Sequence, residues 1–278
     1  MSLSSQRRAL LALFAWLASC LLAAPLVVAA PQETPFRWPN GARAAVSLSY
    51  DDALDSQLDH AIPALDRHGF RGSFYLTLAN PTVRLRLEEW RAAAGQGHEL
   101  GNHTLFHPCS KSLPGREWVA AWLDLDGITV EELKQHIVLA NAMLHAIDGR
   151  EERTLTAPCG DLYAAGEYYL DAVKSEFAAI KARFGGVAPD MRTLDPYLVG
   201  VDTPVGVTGA ELIATVQRAA ALGTMANLTF HGVGGDYLTV SLEAHEQLLQ
   251  HLADNPDVYW VETFLNIMQY VKANRASE

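Results

Sequence analysis

From Ala44 onward the chain alternates short β-like runs with longer amphipathic stretches, and no other feature limits the fold so strongly. AAVSLSY places Val46, Leu48 and Tyr50 on one side of a strand. LDSQLDHAIPALDRHG carries Leu58, Ile62 and Leu65 at helical spacing and stops at Gly69. GSFYLTL reads as a strand, LRLEEWRAAAGQG as a helix and HELGNH as a short strand-like piece. After an irregular stretch, Thr129 and Glu132 form the capping-box signature of the helix VEELKQHIVLANAMLHAI. TLTAPCG reads as a strand, YYLDAVKSEFAAIKARFG as a helix and MRTLDPYLVGVDTP as irregular. Thr208 opens the helix GAELIATVQRAAALG, MANLTFHG is a strand and LEAHEQLLQHLADN a helix. VYWVETF and LNIMQYVKAN supply the last strand and the last helix. This alternation implies one α/β domain over residues 42–275 with a largely parallel sheet, a closed or nearly closed barrel being expected and an open doubly wound sheet the alternative.

The ends and the bulk composition narrow the setting. Arg7 and Arg8 precede an uncharged apolar run that ends in small residues, so residues 1–30 read as a secretory signal, and the Pro-rich residues 31–41 as a linker. Cleavage and export to the periplasm or medium is the expectation. Membrane attachment would require an uncleaved segment or lipidation at Cys20, which closes the lipoprotein-like LASC. The 278-residue chain is 49% hydrophobic with a formal net charge of −11, and that acidity argues against a nucleic-acid partner.

The unusual polar residues share one location. Asp51 and Asp52 follow the first strand, His103 and His107 follow HELGN, Pro158-Cys159-Gly160 ends TLTAPCG, and His231 ends MANLTF. All fall at C-terminal strand ends, where α/β barrels gather their chemistry. HTLFH sets two imidazoles four residues apart, on one face of a helical turn, close enough to share a metal. Each signal alone has a bland reading: a turn or helix cap for the Asp pair, a buried structural residue for either His. Together they supply two nitrogens, a carboxylate, a spare carboxylate and a spare imidazole, which is what metal-assisted hydrolysis needs.

SYDD, HTLFH, APCG and LTFH occur in the order found in the polysaccharide deacetylases, a group of carbohydrate esterases, and GHELGNHTLFH closely resembles that family's second motif. The resemblance spans roughly residues 42–270. It implies a distorted (β/α) barrel with fewer than eight strands, and a divalent metal, zinc by expectation with cobalt or manganese as alternatives, on Asp52, His103 and His107. It also implies Asp51 as general base, His231 as general acid and the backbone N–H of Cys159 as oxyanion donor. The substrate implied is an acetylated glycan or oligosaccharide, with N- and O-linked acetyl both open. An unliganded carboxylate beside a liganded one is the one free to accept a proton.

Two departures qualify the match. The resemblance implies an Arg two residues before Pro158, orienting the base, and Thr156 stands there instead. Arg192, with Asp195 or Asp202, is the candidate replacement, and a surface ion pair is its plain alternative. No counterpart of the family's Asp-Asp-Trp-like fourth motif is recognisable. A glycan-binding barrel without turnover, or a hydrolase of small amides or imides, therefore remains as an alternative reading. Trp118 and Trp122, four apart, read as core or as a sugar platform, GVGGD after His231 as a tight turn, and the remaining seven His as exposed. Cys109, two residues after His107, and Cys159 in the oxyanion turn are expected to bridge if both line one barrel mouth.

Overall fold

The computed structural model describes residues 36–275; the segment read as a signal lies outside them. Ten strands run in chain order: β1 (Ala44–Asp51), β2 (Ser73–Leu76), β3 (Glu99–Asn102), β4 (Thr154–Thr156), β5 (Tyr163–Ala164), β6 (Glu167–Tyr168), β7 (Ala179–Phe184), β8 (Val199–Val201), β9 (Met225–Phe230) and β10 (Tyr259–Val261). The helices are α1 (Ile62–Arg67), α2 (Pro81–Leu85), α3 (Leu87–Gly95), α4 (Val130–Asp148), α5 (Leu170–Val173), α6 (Gly209–Leu222), α7 (Leu242–Ala253) and α8 (Phe264–Arg275). β5 and β6 form a small antiparallel hairpin, and the other eight strands make one parallel sheet.

That sheet nearly closes into a barrel. It runs β10-β1-β2-β3-β4-β7-β8, and β9 pairs with the other edge of β1 over six residues, from Ala45↔Met225 to Tyr50↔Phe230. The seam between β8 and β9 is bridged at Asp202, whose N–H donates to Asn227 O (3.0 Å) and whose carbonyl accepts from Thr229 N (2.8 Å). β10 joins only the first half of β1 and β2 only the second, so the wall splits around β1.

Strand periodicity sorts the β1 side chains, all of them buried. Val46, Leu48 and Tyr50 pack outward against Leu212, Val216 and Leu248 of the helices. Full burial of a side chain such as Leu48 contributes about 1.5–3 kcal/mol. The alternate positions, Ser47, Ser49 and Asp51, share the barrel interior with Tyr75, Glu99, Thr154 and Lys181. Glu99 is buried there, accepting from Ser73 Oγ (2.6 Å), Leu265 N (3.0 Å) and Thr154 Oγ1. Polar groups inside a protein are stable when partnered in this way. The capping boxes at Thr129 and Thr208 start α4 and α6, and left-handed Gly149 and Gly223 end them.

Several sequence expectations need correction. FAAIKARF, read as helical, contains β7; its alanines suit either period, and pairing with β4 and β8 decides for the strand. Val199–Val201, read as irregular, is β8. His98 and His245 are buried rather than exposed: His98 accepts from Gly72 N (3.0 Å), and His245 meets the Tyr50 hydroxyl (2.7 Å). Phe36 and Trp38, in the stretch read as a linker, are buried beside Tyr270 and Trp260.

Candidate active site

Asp51 is the last residue of β1, and Asp52 leaves the strand by a left-handed turn, with φ 80° at Asp52 and 59° at Ala53. The Asp52 N–H still donates to Tyr75 O (3.0 Å), and Asn80 Nδ2 donates to Asp52 O (2.9 Å). Gln57, wholly buried, donates from Nε2 to the carbonyls of both Asp51 and His231 (3.2 Å to the latter), locking the ends of β1 and β9 together. His103 follows β3, and His107 lies four residues on. HTLFH is not a helical turn, as its spacing suggested. It is an irregular loop with left-handed Thr104 (φ 65°) and His107 (φ 58°), and it still brings the two imidazoles to a centroid distance of 4.7 Å.

The loop holds by local bonds. Thr104 N donates to Asn102 Oδ1 (2.7 Å), and His107 N donates to Thr104 Oγ1 (2.9 Å). Of nine non-Gly residues with positive φ among the described residues, seven flank this mouth: Asp52, Ala53, Thr104, His107, Cys159, Asp236 and Leu238. Each costs of order 1–3 kcal/mol, and such strain concentrates where geometry serves function.

The donor atoms converge. Asp52 Oδ1 lies 3.3 Å from His103 Nε2 and 3.4 Å from His107 Nε2. Zinc bonds of about 2.0–2.2 Å in a tetrahedral arrangement separate neighbouring donors by about 3.3–3.5 Å, so this N, N, O set fits a divalent cation. His103 Nδ1 donates to Thr156 O (2.8 Å), which orients the ring and makes Nε2 the nitrogen that would give up its proton to bind a metal. Asp52 Oδ2 accepts from the Tyr237 hydroxyl (2.9 Å) and lies 3.8 Å from His231 Nε2. Asp51 Oδ2 lies 3.8 Å from His103 Nε2, while its Oδ1 is buried without a hydrogen-bond partner.

Electrostatics separates the two acids. Burial raises Asp51 above the usual carboxylate range, with His103, His231 and Lys181 only partly offsetting it. Burial also acts on Asp52, but its hydrogen bond with His103 and the charges of His103 and His107 outweigh it and hold the group well below that range. Burial would depress His103, yet Asp51 and Asp52 raise it to about 9. Burial and the neighbouring His103 lower His107 to about 4. Lys181 is lowered to about 8 by burial, against the pull of Asp51 and Glu99.

The site opens into a cavity of about 730 Å³. Cys159 (φ 57°) sits on its wall and is joined to Cys109 by a disulfide, Cα atoms 6.0 Å apart, as their placement led us to expect. Trp118 and Trp122 are 62% and 66% exposed, which rules out core packing; Trp118 lines the cavity and Trp122 meets the edge of Phe106. The turn after His231 carries Tyr237, which sequence reasoning missed. A Cβ on Gly232 would fall 2.1 Å from Gly235 O, so the turn closes only over glycine. Arg192 forks onto Asp190 (3.0 Å to each oxygen) rather than meeting the site. The cation inside the barrel is Lys181, which the sequence pattern hides because FAAIKARF fits a helical period as well as a strand.

Residues 39–176 match the family model described as polysaccharide deacetylase. A putative polysaccharide deacetylase from Mycobacterium smegmatis superposes with a TM-score of 0.60 at 15% identity, covering 87% of this chain and 94% of that one. The peptidoglycan deacetylase PdaC from Bacillus subtilis gives 0.54 at 16% (84% and 94% covered). A family 4 acetyl xylan esterase from Clostridium thermocellum, in complex with a cobalt ion, gives 0.52 at 17% (84% and 95%). A gellan lyase from Bacillus sp is 27% identical over 144 residues, 49% of this chain, and the chain spans only 5% of that protein's length. The chain belongs to the polysaccharide deacetylase family. The family is one of hydrolytic deacetylases, and the barrel described above is its fold.

Proposed function

We propose that this protein is an exported, metal-dependent hydrolase that removes N- or O-linked acetyl groups from a carbohydrate. The observation that carries the reading is the Asp52 carboxylate set between two imidazole nitrogens with a second, unliganded carboxylate beside it. Asp52, His103 and His107 would hold the cation, which when bound supplies a Lewis acid for the acyl carbonyl and eases deprotonation of water. Zinc is the expected ion; cobalt or manganese suits the same donors.

Asp51 takes the proton from the attacking water, a task that suits a buried carboxylate of raised proton affinity. His231, across the site on β9's end, gives a proton to the departing amine or alcohol. The backbone N–H of Cys159 faces the developing oxyanion, its peptide held by the left-handed turn and the disulfide. Tyr237 steadies the second oxygen of Asp52. The disulfide also supports an oxidising compartment, in line with export.

The test is acetate release across a panel of N- and O-acetylated glycans, with metal analysis of the same preparation. Release that tracks metal content is expected. Release only from small amides or imides would move the substrate class, and none from either would sink the hydrolase reading.

A further inference from the structure

Position 156, where the motif resemblance calls for a cation, is Thr, and its Cα partner across the sheet in the parallel pairing of β4 and β7 is Lys181. The two strands are tied there, Ala157 N donating to Lys181 O (2.9 Å). Lys181 is 1% exposed. Its ammonium lies inside the barrel, bonded to Ser49 Oγ and 3.4 Å from Ser47 Oγ, and 4.6 and 5.1 Å from the ring centres of Phe264 and Tyr75. Ser49 stands two residues before Asp51 on the inward face of β1, so the ammonium sits one strand step beneath that carboxylate. An ammonium is costly to bury and is retained where it balances buried negative charge. Glu99, the other interior acid, already has three donors, whereas Asp51 keeps one oxygen without any.

We propose that Lys181 is a positioning residue for Asp51: the cation expected at position 156 has moved one strand over, to β7, and steadies the free carboxylate from the barrel axis. The inference rests on Asp51 as the proton acceptor, and it assigns Lys181 a role exerted through that carboxylate. A cation at this place opposes metal binding by like charge while stabilising the two adjacent carboxylates, so its removal has two opposite effects. Turnover falls because Asp51 is no longer held. Metal affinity rises because a buried positive charge is gone.

Lys181→Met separates this from packing, since Met keeps the length and apolar stem. Expected are a fall in kcat of about 10–100-fold with KM within about twofold, the size of a lost orienting interaction, and zinc binding to the metal-free protein at least about threefold tighter. Thr156→Arg in the Lys181→Met background should return both toward wild type, since it restores the charge one strand away. Unchanged zinc affinity, or lost turnover that the added Thr156→Arg change does not restore, would leave only a packing role and overturn the proposal. If Lys181→Met does not fold, Ser49→Ala removes the hydroxyl that holds the ammonium; kcat should then drop several-fold at full metal occupancy, and undiminished kcat overturns the idea. The zinc titration needs no substrate. A wild type inactive on every substrate would therefore condemn the hydrolase reading and leave the titration to judge Lys181.

Discussion

Metal binding to this site should be a proton-exchange reaction. In the metal-free protein His103 is raised to about 9 by Asp51 and Asp52, whereas His107 is lowered to about 4 and Asp52 lies well below the usual carboxylate range. At pH 7 a cation therefore meets two ligands ready to bind and one that carries a proton. Two pH units separate working conditions from the His103 midpoint, so affinity at pH 7 should be about 100-fold below its alkaline limit. Affinity should rise about tenfold per unit from pH 5 to 8 and level off above 9. The sign for stability is opposite. A His raised in the fold from 6.5 stabilises the metal-free protein fully below about pH 6.5, and this contribution, roughly 3 kcal/mol, is lost as pH climbs through 9. Zinc titration calorimetry in two buffers of different ionisation enthalpy counts the protons directly, and about one per zinc is expected at pH 7. No proton release, with an affinity flat from pH 6 to 8, would refute the assignment of His103 as a ligand charged before binding.

Asp51→Asn should keep its metal and lose about 10²–10⁴ in turnover, because an amide cannot accept the proton; normal rate at normal metal content removes the base assignment. His231→Ala should lose a similar factor, with the largest deficit on substrates having the poorest leaving groups, and an equal deficit across leaving groups would contradict its role as acid. Opening the Cys109–Cys159 bridge, whose ends are 50 positions apart in sequence, should cost about 4 kcal/mol by the chain-entropy relation. Denaturant melts of oxidised and reduced protein test this, and coincident transitions would show a bridge without consequence for stability.

The barrel and the convergence of Asp52, His103 and His107 were legible because they rest on strong local signals. A strand that ends in two acids, and two histidines four apart after another strand, are readable without tertiary context, and their shared position at strand ends does the rest. Tertiary packing hid the remainder. β7 has alanines and a lysine where a surface helix would have them, and only pairing with β4 and β8 turns Lys181 inward. Tyr237 reaches Asp52 from the far side of a glycine turn, 185 residues away in sequence, with no periodicity to announce it. HTLFH gave the right pair by the wrong geometry: four residues bring imidazoles together in a helix, and two left-handed residues do so here. His98 and His245 are buried by partners that no local pattern reveals.

The split wall around β1 also sets an order of assembly. β1 meets β2 within a short span of chain, but its other edge waits for β9, about 180 residues later. Asp52, His103 and His107 all belong to the early part, whereas Lys181 and His231 arrive late in synthesis. Until β9 docks, β1 presents an open edge six residues long, the kind on which partly folded chains associate. Gln57, bonded to both strand ends, then joins the early half to the late one. A nascent chain thus holds the three proposed metal ligands long before it holds the proposed acid, and barrel closure is the step that completes the proposed centre.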